Sequence, residues 1–334
     1  MKTARIIIML LVAIILTVGM VVGCKSVTTA SPPTPNQPPN LDNSANDPPD
    51  ATPPTLSAPS FFDFPVPVAS GYRVEKNQNA EIDYSNAADG YIMVRFLAST
   101  DMQLRVRITG PSGIVYTYIL NSKGDFEVFP LTDGNGSYNI TVFEQVEGNK
   151  YATSLTHDIS VTLTDPLAPF LRPNQYVNFT PNSTVVIKAA ELVGGITDFF
   201  EKIGAIYHFV IENITYDTEF AEAVIAGNHS GYLPNVDDVL SRRKGICFDY
   251  AALMTAMLRS QGIPTKLVIG YTGDVYHAWI NVFSEEIGWI DNIIQFDGHA
   301  WTLMDPTFAS TGHQSADVMR YIGDVTNYNA MFAY

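Results

Sequence analysis

The chain has 334 residues, 46% of them hydrophobic and 16% charged, so it is apolar enough to bury a core and too apolar to be a disordered chain. Its length predicts two domains. Nineteen Lys and Arg against 34 Asp and Glu give a formal net charge of −15. That balance argues against a nucleic-acid partner, because contacts to phosphates need clustered Lys and Arg.

The first 23 residues have the pattern of a targeting segment. Lys2 and Arg5 precede an uncharged apolar run over 6–23, which ends in Val21-Val22-Gly23-Cys24. This ending resembles a bacterial lipobox, in which the cysteine is lipidated and becomes the mature N-terminus. We therefore expect a signal peptide over 1–23 and a lipid anchor on Cys24, which would hold the protein on the outer side of a bacterial membrane. The alternative is an uncleaved signal anchor, since 18 apolar residues could span a bilayer.

The chain has two cysteines, Cys24 and Cys247. If Cys24 carries lipid, Cys247 has no partner for an intramolecular disulfide. An unpaired thiol is a liability in an oxidising compartment unless it is buried or used. The cysteine count therefore directs attention to Cys247.

Residues 24–60 are expected to form a tether. Ten of the 21 prolines lie in this segment, separated mainly by small polar residues. Such a composition cannot bury a core and favours an extended, mobile chain. The folded part would then stand away from the membrane.

Residues 61–165 are predicted to form a small antiparallel β-sandwich of the immunoglobulin-like type. Apolar and polar residues alternate over 103–108, 137–142 and 159–163, and turn signals rich in Gly, Pro and Asp separate these runs. We find no catalytic set of residues in this domain. We interpret it as a spacer or packing partner of the next domain, with a ligand-binding module as the alternative.

Residues 166–334 read as helices followed by strands, which predicts an α+β architecture. The apolar spacing favours helices over 198–213, 236–243 and 247–261, the last of them stopped by Gly262 and Pro264. Strands are expected over 265–271, 277–283 and 300–304.

Cys247 opens the last of these three predicted helical segments. A cysteine in the first turn lies at the positive end of the helix dipole, which favours the thiolate, and the unpaired N–H groups there can face a developing oxyanion. A thiolate nucleophile needs a base and a group that orients the base. His277, at the predicted start of a strand, is the candidate base, and Asp305 is the candidate orienting acid.

Several blocks around these residues resemble the transglutaminase-like superfamily in order and spacing. The blocks are Asn213–Asp217, Lys244–Ala251, Leu258–Pro264, Val268–Tyr271, His277–Trp279 and Asp305–Thr307. The resemblance implies a papain-like fold with Cys247 as nucleophile, His277 as general base and acid, and Asp305 as the residue that orients His277. It also implies acyl transfer from the amides of a protein or peptide, through a thioester, to water or to an amine. No cofactor or metal is expected, since nothing in the sequence compels one.

Two points stay open in the sequence. Asp291 and Asp297 are rivals of Asp305 for orienting His277, and spacing alone does not separate them. The candidates for the second oxyanion donor are Tyr232 and Tyr216.

Two functions of different classes fit the sequence. The first is a lipid-anchored cysteine protease or amidohydrolase outside the cytoplasm, with cross-linking by transamidation as the variant of the same chemistry. The second is a non-catalytic adhesion or assembly protein of the envelope. An unpaired thiol kept together with His277 and Asp305 favours the enzyme.

Overall fold

The structure, a computed structural model, describes residues 64–291, 294–296, 301–303, 306–310 and 327–334. The expected signal peptide and tether, with Cys24, lie outside the described residues. Asp297 and Asp305 lie outside them as well.

Eight strands in the first part of the described chain form two four-stranded antiparallel sheets. One sheet has the order β1-β2-β3-β6 and the other β5-β4-β7-β8. The predicted alternation is confirmed, because Leu104, Val106 and Ile108 are buried on one face of β4. The strands are β1 (Val74–Lys76), β2 (Ala80–Asp83), β3 (Tyr91–Phe96), β4 (Leu104–Thr109), β5 (Val115–Leu120), β6 (Glu127–Pro130), β7 (Gly136–Glu147) and β8 (Lys150–Val161).

Five helices and two short strands follow. The helices are α1 (Thr184–Val193), α2 (Phe199–Asn213), α3 (Thr218–Ile225), α4 (Val236–Arg242) and α5 (Cys247–Arg259); the strands are β9 (Thr215–Tyr216) and β10 (Lys244–Gly245). Asp198 caps α2 by accepting a hydrogen bond from Glu201 N–H at 2.8 Å, and Arg243 ends α4 in the left-handed region at φ 54°. Within the described ranges, no helix is long and apolar enough to cross a membrane.

An antiparallel sheet of order β13-β12-β11-β16 packs against α5. Its strands are β11 (Thr265–Thr272), β12 (Val275–Ser284), β13 (Gly288–Ile290) and β16 (Tyr328–Ala333); β14 (Ile294–Phe296), β15 (Trp301–Leu303) and the short helix α6 (Pro306–Ser310) lie between β13 and β16 in the chain. Leu267, Ile280 and Val282 of the sheet share one core with the apolar side chains of α5. The predicted α+β class, preceded by a β-sandwich, is confirmed.

The pairing of the last predicted strand differs from the expectation. The strand expected over 300–304 would bring Asp305 to His277 only if it lay antiparallel beside 277–283. In the structure Trp301–Leu303 pairs with Ile294–Phe296 instead. A pairing so close in sequence closes a much shorter loop, and its entropic cost is smaller.

The aromatic side chains of β16 and of the residue after it join the two predicted domains. Phe332 packs on Tyr116 of β5 with ring centroids 5.5 Å apart, and Tyr334 packs on Tyr118 at 5.8 Å. Thr132, which follows β6, donates a hydrogen bond from Oγ1 to the carbonyl of Ala333 at 2.7 Å. The sandwich and the sheet of β11, β12, β13 and β16 therefore share part of one aromatic core.

Arg259, at the end of α5, is buried completely and binds backbone carbonyls. Its guanidinium donates to the carbonyl of Thr265 at 2.9 and 2.7 Å, to that of Arg172 at 2.6 Å and to that of Tyr334 at 2.6 Å. Burial lowers the pKa of Arg259 to about 9. The side chain thus ties the end of α5 to β11, to the residue after β16 and to the segment that follows the sandwich.

Replacing Arg259 with methionine is expected to lower the free energy of unfolding by about 3 kcal/mol, because the hydrogen bonds of the buried guanidinium to three backbone carbonyls are lost. Denaturant titration of the full chain measures the effect. Arg107→Met is the matched control, since Arg107 is exposed and only lies over the Phe143 ring. Equal losses in the two variants would contradict the prediction.

Candidate active site

Cys247 is the first residue of α5 and is partly exposed. The residue before it, Ile246, occupies the N-cap position with φ −97° and ψ 177°. Ser, Thr, Asp or Asn usually fill this position and accept an N–H of the first turn, which an isoleucine side chain cannot do. The N-cap side chain therefore does not occupy the N–H groups around Cys247, and they can bind a thiolate or an oxyanion.

Asp249, two residues after Cys247, fixes the start of this helix. Its side chain is fully buried and accepts hydrogen bonds from the Ile246 N–H at 2.9 Å and from the Tyr232 hydroxyl at 2.5 Å. Burial raises the pKa of this carboxyl, although both hydrogen bonds and the charge of Arg242 act in the other direction. Because the Tyr232 hydroxyl donates its hydrogen bond to Asp249, it is not available as an oxyanion donor in this arrangement.

Close packing requires the glycine at position 245, two residues before Cys247. A Cβ at Gly245 would lie 2.6 Å from Cβ of Asp249, so a side chain there would displace the carboxylate. Gly245 also pairs with Tyr216 in the parallel pair of β9 and β10, and its carbonyl accepts from Asp217 N–H at 2.9 Å. The sequence block that contains Asn213–Asp217 is thus the partner strand of the segment that leads into Cys247.

The pair of β9 and β10 is also held by charge. Lys244 Nζ lies 3.0 Å from Oδ1 of Asp217, and the same oxygen accepts from Phe220 N–H at 3.0 Å. Burial would raise the pKa of Asp217, but these two partners outweigh it and lower the pKa. These contacts fix the entry to the nucleophile from both strands.

His277 is the third residue of β12 rather than its first, and its side chain is 6% exposed. Its ring lies nearly parallel to the indole of Trp279, with centroids 6.1 Å apart. A Cβ at Gly270, which pairs with His277, would lie 2.8 Å from the Trp279 ring. The missing side chain at Gly270 therefore makes room for the indole against which His277 packs.

Cys247 and His277 lie at the same end of the layer formed by α5 and the sheet. Arg259 binds Thr265, and Thr265 pairs with Val282. Twelve residues of helix lead back from Arg259 to Cys247, about 18 Å, and five residues of strand lead back from Val282 to His277, about 17 Å. Because α5 packs along β12, Cys247 and His277 lie at the same height along these two elements.

Tyr276, next to His277, lies within electrostatic range of Cys247. The pKa of its hydroxyl is raised by burial first, then by Tyr271 and by the charge of Cys247. The start of β12 is therefore close enough to Cys247 for their charges to interact.

The transglutaminase-like superfamily core model matches residues 188–292, which include Cys247 and His277. Residues 188–292 form a transglutaminase-like domain. The match covers every helix and strand described above that positions Cys247, and it ends before Asp305.

Proteins with similar segments support this assignment. The chain is 32% identical over 113 residues to the uncharacterized protein YebA of Bacillus subtilis, covering 28% of this chain and 15% of that protein. It is 36% identical over 70 residues to a protein-glutamine gamma-glutamyltransferase of Pseudomonas aeruginosa, covering 16% of this chain and 10% of that protein. The chain thus spans about a seventh and a tenth of these curated relatives.

Among solved structures, the chain is similar to "a Putative Cysteine Protease from Cytophaga hutchinsonii". The two share 16% sequence identity with a TM-score of 0.32, over 63% of this chain and 68% of that one.

The third member of the expected triad lies outside the residues that the structure describes. Asp305 and its rival Asp297 both lie outside them. The other rival, Asp291, accepts a hydrogen bond from Asn281 Nδ2 at 2.7 Å. This contact agrees with the hairpin register, in which Phe283 pairs with Trp289, and it places Asp291 four strand residues away from His277.

Within the described part of the chain, no group of three or more His, Cys, Asp or Glu side chains is arranged to hold a metal ion. Tyr216, the other candidate oxyanion donor, lies on β9 opposite Gly245. Its role in the transglutaminase-like domain stays a prediction.

Proposed function

We propose that this chain is a thiol enzyme that transfers acyl groups from protein amides through a thioester on Cys247, with water as the main acceptor. The proposal makes it a cysteine protease or amidohydrolase, lipid-anchored outside the cytoplasm of a bacterium. The observation that carries it is the placement of Cys247 in a transglutaminase-like domain, at the start of a helix whose N-cap side chain accepts no N–H of the first turn.

The chemistry follows from the proposed triad of Cys247, His277 and Asp305. His277 takes the proton of the Cys247 thiol as its sulfur attacks the amide carbonyl, and the charge that develops on the oxygen is stabilised by the N–H groups at the start of α5. His277 then gives this proton to the departing amine, which leaves a thioester. Water, deprotonated by His277, attacks the thioester and releases the acid and the thiol. Asp305 would keep the imidazole in its productive tautomer.

Cross-linking is the second candidate, and the relative named protein-glutamine gamma-glutamyltransferase favours it. The two reactions differ only in whether water or an amine attacks the thioester. Mass spectrometry of envelope proteins from cells with the parent chain and with Cys247→Ala separates them. New peptide termini or deamidated residues that disappear in the variant support hydrolysis, whereas isopeptide-linked peptides that disappear would overturn the preference.

Alkylation distinguishes the enzyme from a non-catalytic adhesion or assembly protein. A thiolate held at the helix start should react with iodoacetamide at pH 6 far faster than an ordinary cysteine, whose pKa is about 8.5. Modification is followed on the peptide that contains Cys247. A rate equal to that of a free cysteine would remove the support for an enzyme.

The lipid anchor on Cys24 has its own test. Cys24→Ser is expected to block lipidation, to leave residues 1–23 attached, and to raise the mass by the uncleaved segment minus the lipid. Intact-protein mass spectrometry of detergent extracts measures both changes. Processing of the variant at the same site as the parent would show that the lipobox interpretation is wrong and leave the signal anchor.

A further inference from the structure

Asp249, close to the proposed nucleophile, has a buried carboxylate. It is fully buried two residues from Cys247, and no ion pair reaches it among the residues that the structure describes. Burying an unpaired carboxylate is costly unless hydrogen bonds compensate. Only the Ile246 N–H and the Tyr232 hydroxyl are seen to donate to it. Tyr232 therefore supplies one of the two interactions that hold Asp249 in place.

Tyr232 is itself held by a loop that rests on the β-sandwich. Its ring meets that of Phe220 edge-on, with centroids 4.8 Å apart. The preceding residue, Gly231, has φ +82°, and a Cβ there would lie 2.7 Å from Cδ1 of Ile119 on β5. The loop thus passes directly over Ile119, in a backbone conformation that favours glycine.

Ile119 is fixed in turn by the segment that follows the sandwich. Its carbonyl accepts a hydrogen bond from Gln175 Nε2 at 2.6 Å, and Gln175 also bonds Glu127 of β6. A continuous set of contacts therefore runs from the sandwich through Ile119, Gly231 and Tyr232 to Asp249.

We infer that the β-sandwich positions the nucleophile, and that Ile119, Tyr232 and Asp249 are the positioning residues. Tyr232 holds one oxygen of Asp249, so the other stays on the Ile246 N–H and does not turn toward the N–H groups of the first turn. Those groups then remain available to the Cys247 sulfur and to the oxyanion. This inference rests on the proposed thiol chemistry and gives the sandwich a role in it, although the matched domain begins only at residue 188.

The test is a double-mutant cycle on the full chain with Tyr232→Phe, Ile119→Ala and the combined variant. The readout is the rate at which iodoacetamide modifies Cys247 at pH 6, relative to glutathione. Each single variant is expected to slow the reaction about tenfold, the loss that follows when a hydrogen bond to a charged group is removed or displaced. The combined variant is expected to match the slower single variant, because both changes act on one path.

Two further variants separate positioning from loss of stability. Tyr138→Phe is the matched control, since this buried tyrosine donates one hydrogen bond, to the Gly134 carbonyl at 2.8 Å, within the sandwich. It should destabilise the chain as Tyr232→Phe does and leave the Cys247 rate unchanged. Asp249→Asn keeps an acceptor for the Ile246 N–H and should retain more of the rate than Asp249→Ala.

The outcomes are distinguishable. Suppose that iodoacetamide modifies Cys247 of the parent fast, and that the rates for Tyr232→Phe and Ile119→Ala are no lower than the rate for Tyr138→Phe. This result would overturn this inference and leave the proposed function standing. Additive effects in the combined variant would also overturn it, since they mean separate causes. A parent rate equal to that of glutathione would overturn the proposed function and this inference with it.

Discussion

Replacing Cys247 with serine is expected to lower turnover of a protein amide by a factor on the order of 10⁴ or more. Serine has nearly the same shape, but its hydroxyl does not ionise at neutral pH, so the helix start has no thiolate to stabilise. Release of ammonia or of new amino termini from casein measures the effect. We expect His277→Ala to cause a similar loss, and the two substitutions together to cost little more than one, because both residues serve one proton transfer.

The other cysteine provides the matched control. Cys24→Ser makes the same chemical change outside the catalytic region and should leave turnover per mole of detergent-solubilised protein unchanged. If Cys247→Ser keeps more than about a tenth of the parent turnover, the assignment of Cys247 as nucleophile fails.

Asp305→Ala is expected to remove most of the turnover, by a factor on the order of 10² to 10⁴, while Asp291→Ala removes little. Without Asp305 the imidazole of His277 would lose the partner that fixes its tautomer. Asp291 accepts a hydrogen bond from the side-chain amide of Asn281. Removing Asp291 therefore costs an interaction that does not involve the reacting groups. Asp297→Ala completes the comparison and is expected to resemble Asp291→Ala.

These variants are compared on one substrate, after circular dichroism has shown that each is folded. A large loss in Asp291→Ala or Asp297→Ala with a small loss in Asp305→Ala would reassign the orienting acid. A small loss in all three would leave His277 oriented by its packing on Trp279.

The nucleophile helix was predictable because its signals are local. The apolar stripe and the Gly262 stop predicted a helix from Cys247, and the structure has it over Cys247–Arg259. The buried face of β4, with Leu104, Val106 and Ile108, followed from alternation in the same way. Strand and helix periods are properties of neighbouring residues, so a single sequence contains them.

The supports of the site were not predictable because they join distant segments. Tyr232 was a candidate oxyanion donor, and only the fold shows that it donates to Asp249. Ile119 lies 128 residues before Cys247, and no pattern in the sequence relates the two. Ile246 gave no signal either, because isoleucine at an N-cap departs from the usual preference. The pairing of Trp301–Leu303 with Ile294–Phe296 was not predicted, because alternation identifies a strand but not the strand with which it pairs.

The placement of β16 sets the order in which this chain can acquire its structure. Phe332 and Tyr334 complete the aromatic core against Tyr116 and Tyr118, so neither the sandwich nor the sheet that contains β16 is finished until residues 328–334 are present. A chain that crosses a membrane from its N-terminus would leave the tyrosines of β5 exposed until that segment emerges. The described chain should therefore melt in a single cooperative transition, which a cut at residue 165 abolishes for both halves.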